Sequence, residues 1–200
     1  MTERQTPRAA RQRAACLWGA VLAVGVILGA TLGGSLGAGC SKRGSGGAEP
    51  RPPVDRPLMA CLGALRALHR QADLHLARGD TPAALRAVEQ ILVLKCVEGK
   101  HPEVQEAVLD AYGRLGRLHL KLGQLDLAAE RVAQGLRRPG PPSFFRANLH
   151  MVEGDLLDAR AEAEDGAGRK ESADGLRRKA IEAFDRSAKM NMDLLGELVK

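Results

Sequence analysis

Residues 104–136, VQEAVLDAYGRLGRLHLKLGQLDLAAERVAQGL, decide the fold. Val104, Val108, Ala111, Tyr112, Leu115, Leu118 and Leu122 recur at steps of three and four, the period of one helix face. Gly123 stops that run, and Leu125, Ala128, Ala129, Val132 and Leu136 begin another. No stretch here alternates with the period of two that a half-buried strand requires. A helix, a glycine turn and a second helix predict an antiparallel hairpin. Small residues at the crossing, Gly116 facing Ala128, let the helix axes approach to the low end of about 8–10 Å.

The pattern extends in both directions. Leu58, Leu62, Leu65, Leu68, Ala72 and Leu76 form a stripe that Asp55 can cap, with Pro57 tolerated in the first turn and Gly79-Asp80 at the end. Thr81 is the expected cap of the next helix, with Pro82 at its first position and Ala84, Leu85, Val88, Ile91 and Leu92 on its buried face. Gly99 and Pro102 mark a break. Beyond Pro139-Gly-Pro-Pro142, Ser143 caps a third pair. Phe144, Phe145, Leu149, Val152, Leu156, Leu157 and Ala161 run down its first helix. Gly166-Ala-Gly168 and Ser172 fall in the connection, and Leu176, Ala180, Ile181, Phe184 and Ala188 line its second helix. Residues 193–200 read as a short final turn or tail. The expectation is an all-α domain of antiparallel helix pairs over residues 58–192. An aromatic content of 2% argues against sandwich and barrel folds, and against a stacking platform for single-stranded nucleic acid.

The hairpins repeat. With Gly79 set over Gly123, Leu68 falls on Tyr112, Ala72 on Gly116, Leu76 on Leu120, Ala84 on Ala128, Val88 on Val132 and Leu92 on Leu136. In the second unit Tyr112, Leu115, Gly116, Gly123, Ala128, Val132, Gly135 and Pro139 resemble the tetratricopeptide repeat. That family places a large then a small residue in helix A, Gly at the turn, Ala, a large and a small residue in helix B, and Pro at the close. Gln71 and Ile91 depart from the pattern in the first unit. The third gives Gly154 in helix A and Ala180, Ile181, Phe184 and Ser187 in helix B, with a middle longer than the family's. The two turns stand 44 residues apart, against a family period of about 34. The resemblance implies a short α-solenoid whose groove binds a peptide or helix of a protein partner without chemistry or cofactor. On it, Arg66, Arg70, Asp73, Arg114, Arg117 and Lys121 are the candidate groove residues. A plain helical bundle is the other reading of the same hairpins.

The first forty residues address the chain. Arg4, Arg8, Arg11 and Arg13 precede an uncharged run from Leu17 to Ala38, as in a secretory signal. The run ends Leu36-Gly37-Ala38-Gly39-Cys40, which resembles the lipobox of bacterial lipoproteins. Ala38 and Gly39 fit, and the leucine that the family places three residues before the cysteine stands one step earlier. The resemblance implies lipidation at Cys40 and a domain tethered in the cell envelope, facing the periplasm or exterior. A run of this length also suffices for an uncleaved membrane anchor. Residues 1–39 are thus a signal peptide or anchor, and 40–57 a flexible Gly/Ser/Pro linker. Residues 1–39 carry half of the formal net charge of +6, which weakens any case for nucleic-acid binding. Lys42, Arg43, Arg51 and Arg56 in the linker favour either anionic head groups or simple solvation.

Of four cysteines, Cys16 and Cys40 belong to the leader. Cys61, near the start of one helix, and Cys96, near the end of its antiparallel partner, are placed to form a disulfide or to pack as two separate thiols. Catalytic signals are weak. His69, His75, His101, His119 and His150 offer no helical metal face, and His75 and His119 occupy equivalent repeat positions. His69 lies one turn before Asp73, without a neighbouring nucleophile in sequence. Asp155, Asp158, Glu162 and Asp165 make an acidic face that suits a basic partner, a divalent ion or plain solvent. The leading function class is a membrane-tethered, non-catalytic adaptor. The alternative is a ligand-binding or enzymatic helical domain with an unrecognised site, and a passive spacer is a third. The sequence sets neither partner nor oligomeric state.

Overall fold

A computed structural model describes residues 55–98 and 101–198. The leader, the Cys40 lipidation candidate and nearly all of the linker lie outside the described residues. The described chain is all-α: α1 Arg56–Ala77, α2 Thr81–Leu92, a 3₁₀ turn Lys95–Glu98, α3 Pro102–Lys121, α4 Leu125–Leu136, α5 Phe144–Gly166 and α6 Lys170–Leu198.

Local chemistry sets the helix starts. Asp55 accepts the Leu58 N–H, so α1 begins at Arg56, inside the stretch read as linker. Ser143 accepts the Arg146 N–H and starts α5. At α2 the cap is Asp80, not Thr81: the Asp80 carboxylate accepts the Ala83 N–H at 3.0 Å, and Thr81 is the first helical residue, buried. A charged acceptor makes the stronger hydrogen bond to a helix N-terminus.

Three turns share one geometry. Gly79, Gly123 and Gly168 have φ of 76°, 71° and 78°, a region closed to most L-residues. After each, an N–H returns to the carbonyl five residues back at 2.9 Å: Asp80 to His75, Gln124 to His119 and Arg169 to Glu164. This is the Schellman arrangement. The third pair therefore has the same turn as the others, and the longer middle expected for it is not there. Its extra length lies at the far end, where α6 runs on through Leu198 in place of a short tail.

The pairs are antiparallel. Cys61 early in α1 meets Cys96 beyond α2. A Cβ on Gly116 would meet Val132, and one on Gly135 would meet Tyr112, so positions rise on α4 as they fall on α3. Gly154 faces Phe184 while Asp165 pairs with Arg177, the same relation in the third hairpin. α2 packs on α3 and α4 on α5, while the first helices α1, α3 and α5 also touch in sequence. The core runs through Leu65, Ala72, Val88, Ile91, Val108 and Leu115, then Val132, Leu149 and Val152.

Anchored on the turns, Ala72, Gly116 and Ala161 occupy equivalent positions, as do Ala84, Ala128 and Ala173, and the alanines are fully buried. In the third pair the position equivalent to Gly116 is thus Ala161, two turns from Gly154. On α6 the buried stripe is Ala173, Ala180, Ala183 and Ser187; Ile181 and Ala188, expected inside, are exposed, and Phe184 is half-open with its ring over Gly154. A narrow small-residue stripe suffices because α5 is the one helix on which α6 packs to any extent among the described residues.

Candidate interaction face

The contacts among α1, α3 and α5 bring distant charges together. Asp73 on α1 pairs with Arg114 on α3. Nη1 of the same guanidinium lies 3.2 Å from His69 Nδ1, and Asp110 on α3 lies 3.6 Å from that nitrogen. The four side chains form one network across the α1–α3 seam. Burial holds the His69 imidazole below its ordinary pKa, Asp110 opposes this and Arg114 adds to it. His69 therefore favours its neutral form.

Arg117 reaches the other way and donates to Asn148 Oδ1 on α5 at 2.9 Å. Between the two linkages, Leu76, Asp110, Arg114, Arg117, Leu118 and Lys121 line an open depression of about 460 Å³. Four of the six sequence-derived groove residues, Asp73, Arg114, Arg117 and Lys121, thus gather at or beside this seam. Arg66 and Arg70 do not line the depression; both are exposed on α1. Asp110 and Asn148 were not singled out by the sequence. Each makes sense only against a helix tens of residues away.

The face changes sign along its length. On α5, Asp155, Asp158 and Glu162 stand at helical spacing, and Asp155 lies in the field of Arg117. Partial burial raises the Asp155 pKa; the positive field of Arg117 lowers it and Asp158 raises it, which places the three in one electrostatic neighbourhood. Asp165, read as part of the same acidic face, is engaged by Arg177 of α6 at 2.6 Å. Among the described residues no group of His, Cys, Asp and Glu is arranged to hold a metal ion.

A second depression, about 490 Å³, opens where α4 has ended and α3 continues. Pro102 and Leu109 line one side, Pro139 and Pro141 the other, with Arg138 donating to Gln105 across it at 2.7 Å. Arg146 fixes the proline segment by donating to the carbonyls of Leu136, Arg138 and Pro141. No helix among the described residues is long and apolar enough to cross a membrane.

Comparison with protein-family models, with curated proteins and with solved structures finds no match for this chain.

Proposed function

We propose that residues 56–198 are a short tetratricopeptide-like α-solenoid, held in the bacterial cell envelope by the N-terminal segment, whose α1–α3–α5 face binds a protein partner without catalysis. The observation that carries this reading is the recurrence of one hairpin three times, with the same glycine turn and buried small residues at equivalent positions. Stacked hairpins of this kind line up their first helices, and such a row offers an elongated surface to a peptide or helix.

The charge arrangement supports a polypeptide over a small molecule. The depression at the α1–α3 seam is shallow and open, and His69 is engaged by its neighbours. Basic Arg117 close to acidic Asp155, with Asp158 next along α5, suits a partner segment whose charges run in the opposite order. The bond between Cys61 and Cys96 suits an oxidising compartment outside the cytoplasm, in keeping with the apolar run 17–38. In this reading Cys40 is the lipidated N-terminus of the mature chain.

Purification of the full chain from membranes, followed by mass spectrometry, tests the proposal. The expected result is a diacylglyceryl-modified Cys40 peptide together with at least one protein retained in proportion to the chain. An unmodified N-terminus in the soluble cytosol would contradict the tether, and absence of any retained protein would contradict the adaptor.

A further inference from the structure

One side of α6 carries a stripe of apolar residues left partly or largely open to solvent, with the Phe184 ring lying over Gly154 of α5 and showing its free side. Ile181, Phe184, Met192 and Leu195 are 59, 38, 63 and 54% exposed, and Ala188 between them is exposed too. The spacing is symmetric about Ala188. Phe184 and Met192 stand four residues to either side of it, Ile181 and Leu195 seven. Four and seven are the steps that keep residues on one helix face.

Such a stripe is complementary to itself in reverse. We propose that α6 is a self-association surface on which two copies of this chain pair antiparallel, with a two-fold axis through Ala188. Phe184 of each copy then meets Met192 of the other, and Ile181 meets Leu195. The small Ala188 at the axis lets the helices approach closely. An isologous contact needs this reciprocity, since one patch must fit itself. The charges at the edge of the stripe agree. Asp185 precedes the axis by three residues and Lys189 follows it by one, so each Asp185 falls beside Lys189 of the other copy. Lys189 is free to turn toward it, because its present pairing with Asp193 at 3.3 Å is an exposed one. This inference is independent of the groove on α1, α3 and α5.

The test is crosslinking of the full chain in its own membranes. Ala188→Cys is compared with the parent, which carries the same leader cysteines, and with Glu182→Cys, an exposed position away from the stripe. A short bis-maleimide should give a species of twice the chain's mass, at least about fivefold above both controls for a two-fold contact centred on Ala188. Adding Met192→Asp to Ala188→Cys should remove that species, with the helical circular dichroism unchanged, because Met192 touches solvent in the single copy. Asp185→Lys should lower the yield and Asp185→Lys with Lys189→Asp should restore it. Three results would each overturn the proposal: equal yields from Ala188→Cys and Glu182→Cys, capture of a different protein or of the chain's own leader by the thiol of Ala188→Cys, or no restoration by the charge exchange.

Discussion

Arg169 grips Glu164 across the α5–α6 turn, Nε to Oε2 at 2.6 Å and Nη2 to Oε1 at 2.8 Å. The same two positions hold His119 and Gln124 at the second turn, 2.8 Å apart, and His75 and Asp80 at the first, 4.0 Å apart. The backbone bond is the same in all three while the side-chain chemistry differs. Turn geometry is therefore set by the glycine and the main chain, and each side-chain pair is a local fastening added to it. At Glu164 the fastening holds the carboxyl pKa down to about 2, chiefly through the Arg169 hydrogen bonds.

Gly123→Ala should lower stability by about 1 kcal/mol, the penalty for an L-residue at positive φ. A Cβ there meets no atom within 4 Å, so the loss is one of backbone conformation. Gly123→Asn, which tolerates this region better, should lose less. Urea denaturation of the three proteins measures the order, and equal midpoints for Gly, Asn and Ala would contradict it.

Gly116→Ala should also destabilise, for the opposite reason. Its backbone is helical, but a Cβ would sit 2.8 Å from Val132 and 2.9 Å from Val152, both buried and branched. Forced shifts of this kind cost about 1–3 kcal/mol, and Gly116→Leu should stand at or beyond the upper end. The equivalent position in the first hairpin is already Ala72, so Ala72→Gly should show no gain from relieved crowding.

Cys61 and Cys96 close a loop with a sequence separation of 35 across the first hairpin. Replacing both by alanine should remove about 4 kcal/mol on the chain-entropy account. Comparison of oxidised and reduced protein in urea reads the same difference without mutation. Reduction that leaves the midpoint in place would show that packing of α1 on α2 already restrains the unfolded chain.

His69 gives a pH dependence of defined sign. Its ordinary pKa is 6.5 and burial lowers it in the folded chain, so below that pH the unfolded chain takes up a proton that the folded one resists. Its contribution to stability is complete above pH 6.5 and is lost as pH falls through the interval down to the folded value. His69→Gln should flatten the stability profile just below pH 6.5. A wild-type profile that rises on acidification through that interval would contradict the sign.

Much of the hairpin scheme was legible from Gly79 and Gly123, because the apolar residues flanking them match one for one. The third turn was harder to see. Where the first two second helices carry Val88 and Val132, α6 carries Arg177, bound to Asp165, and an apolar alignment slides instead to Ile181 and Phe184. Ile181 faces outward and Phe184 lies over Gly154 with one side open, since with α5 alone to cover, alanines fill the seam. The charged network was only half legible. Arg114 and Asp73 are separated by 41 residues and Arg114 and His69 by 45, so the sequence offers Asp73 and Arg114 as separate groove candidates, and the packing of α1 on α3 joins them with His69 in one network. Asp110 and Asn148 gave no signal of their own.

The central claim is that the α1–α3–α5 face holds a protein partner. Its most direct measurement is quantitative affinity purification of the full chain from the cells that make it, comparing wild type with the double variant Arg117→Glu, Lys121→Glu. These two side chains flank the open depression without belonging to the buried core. The account predicts that at least one protein retained by the wild type falls by about tenfold or more in the variant, as expected when charges facing a complementary partner are reversed. An identical set of retained proteins, with the variant folded and present in equal amount, would contradict it.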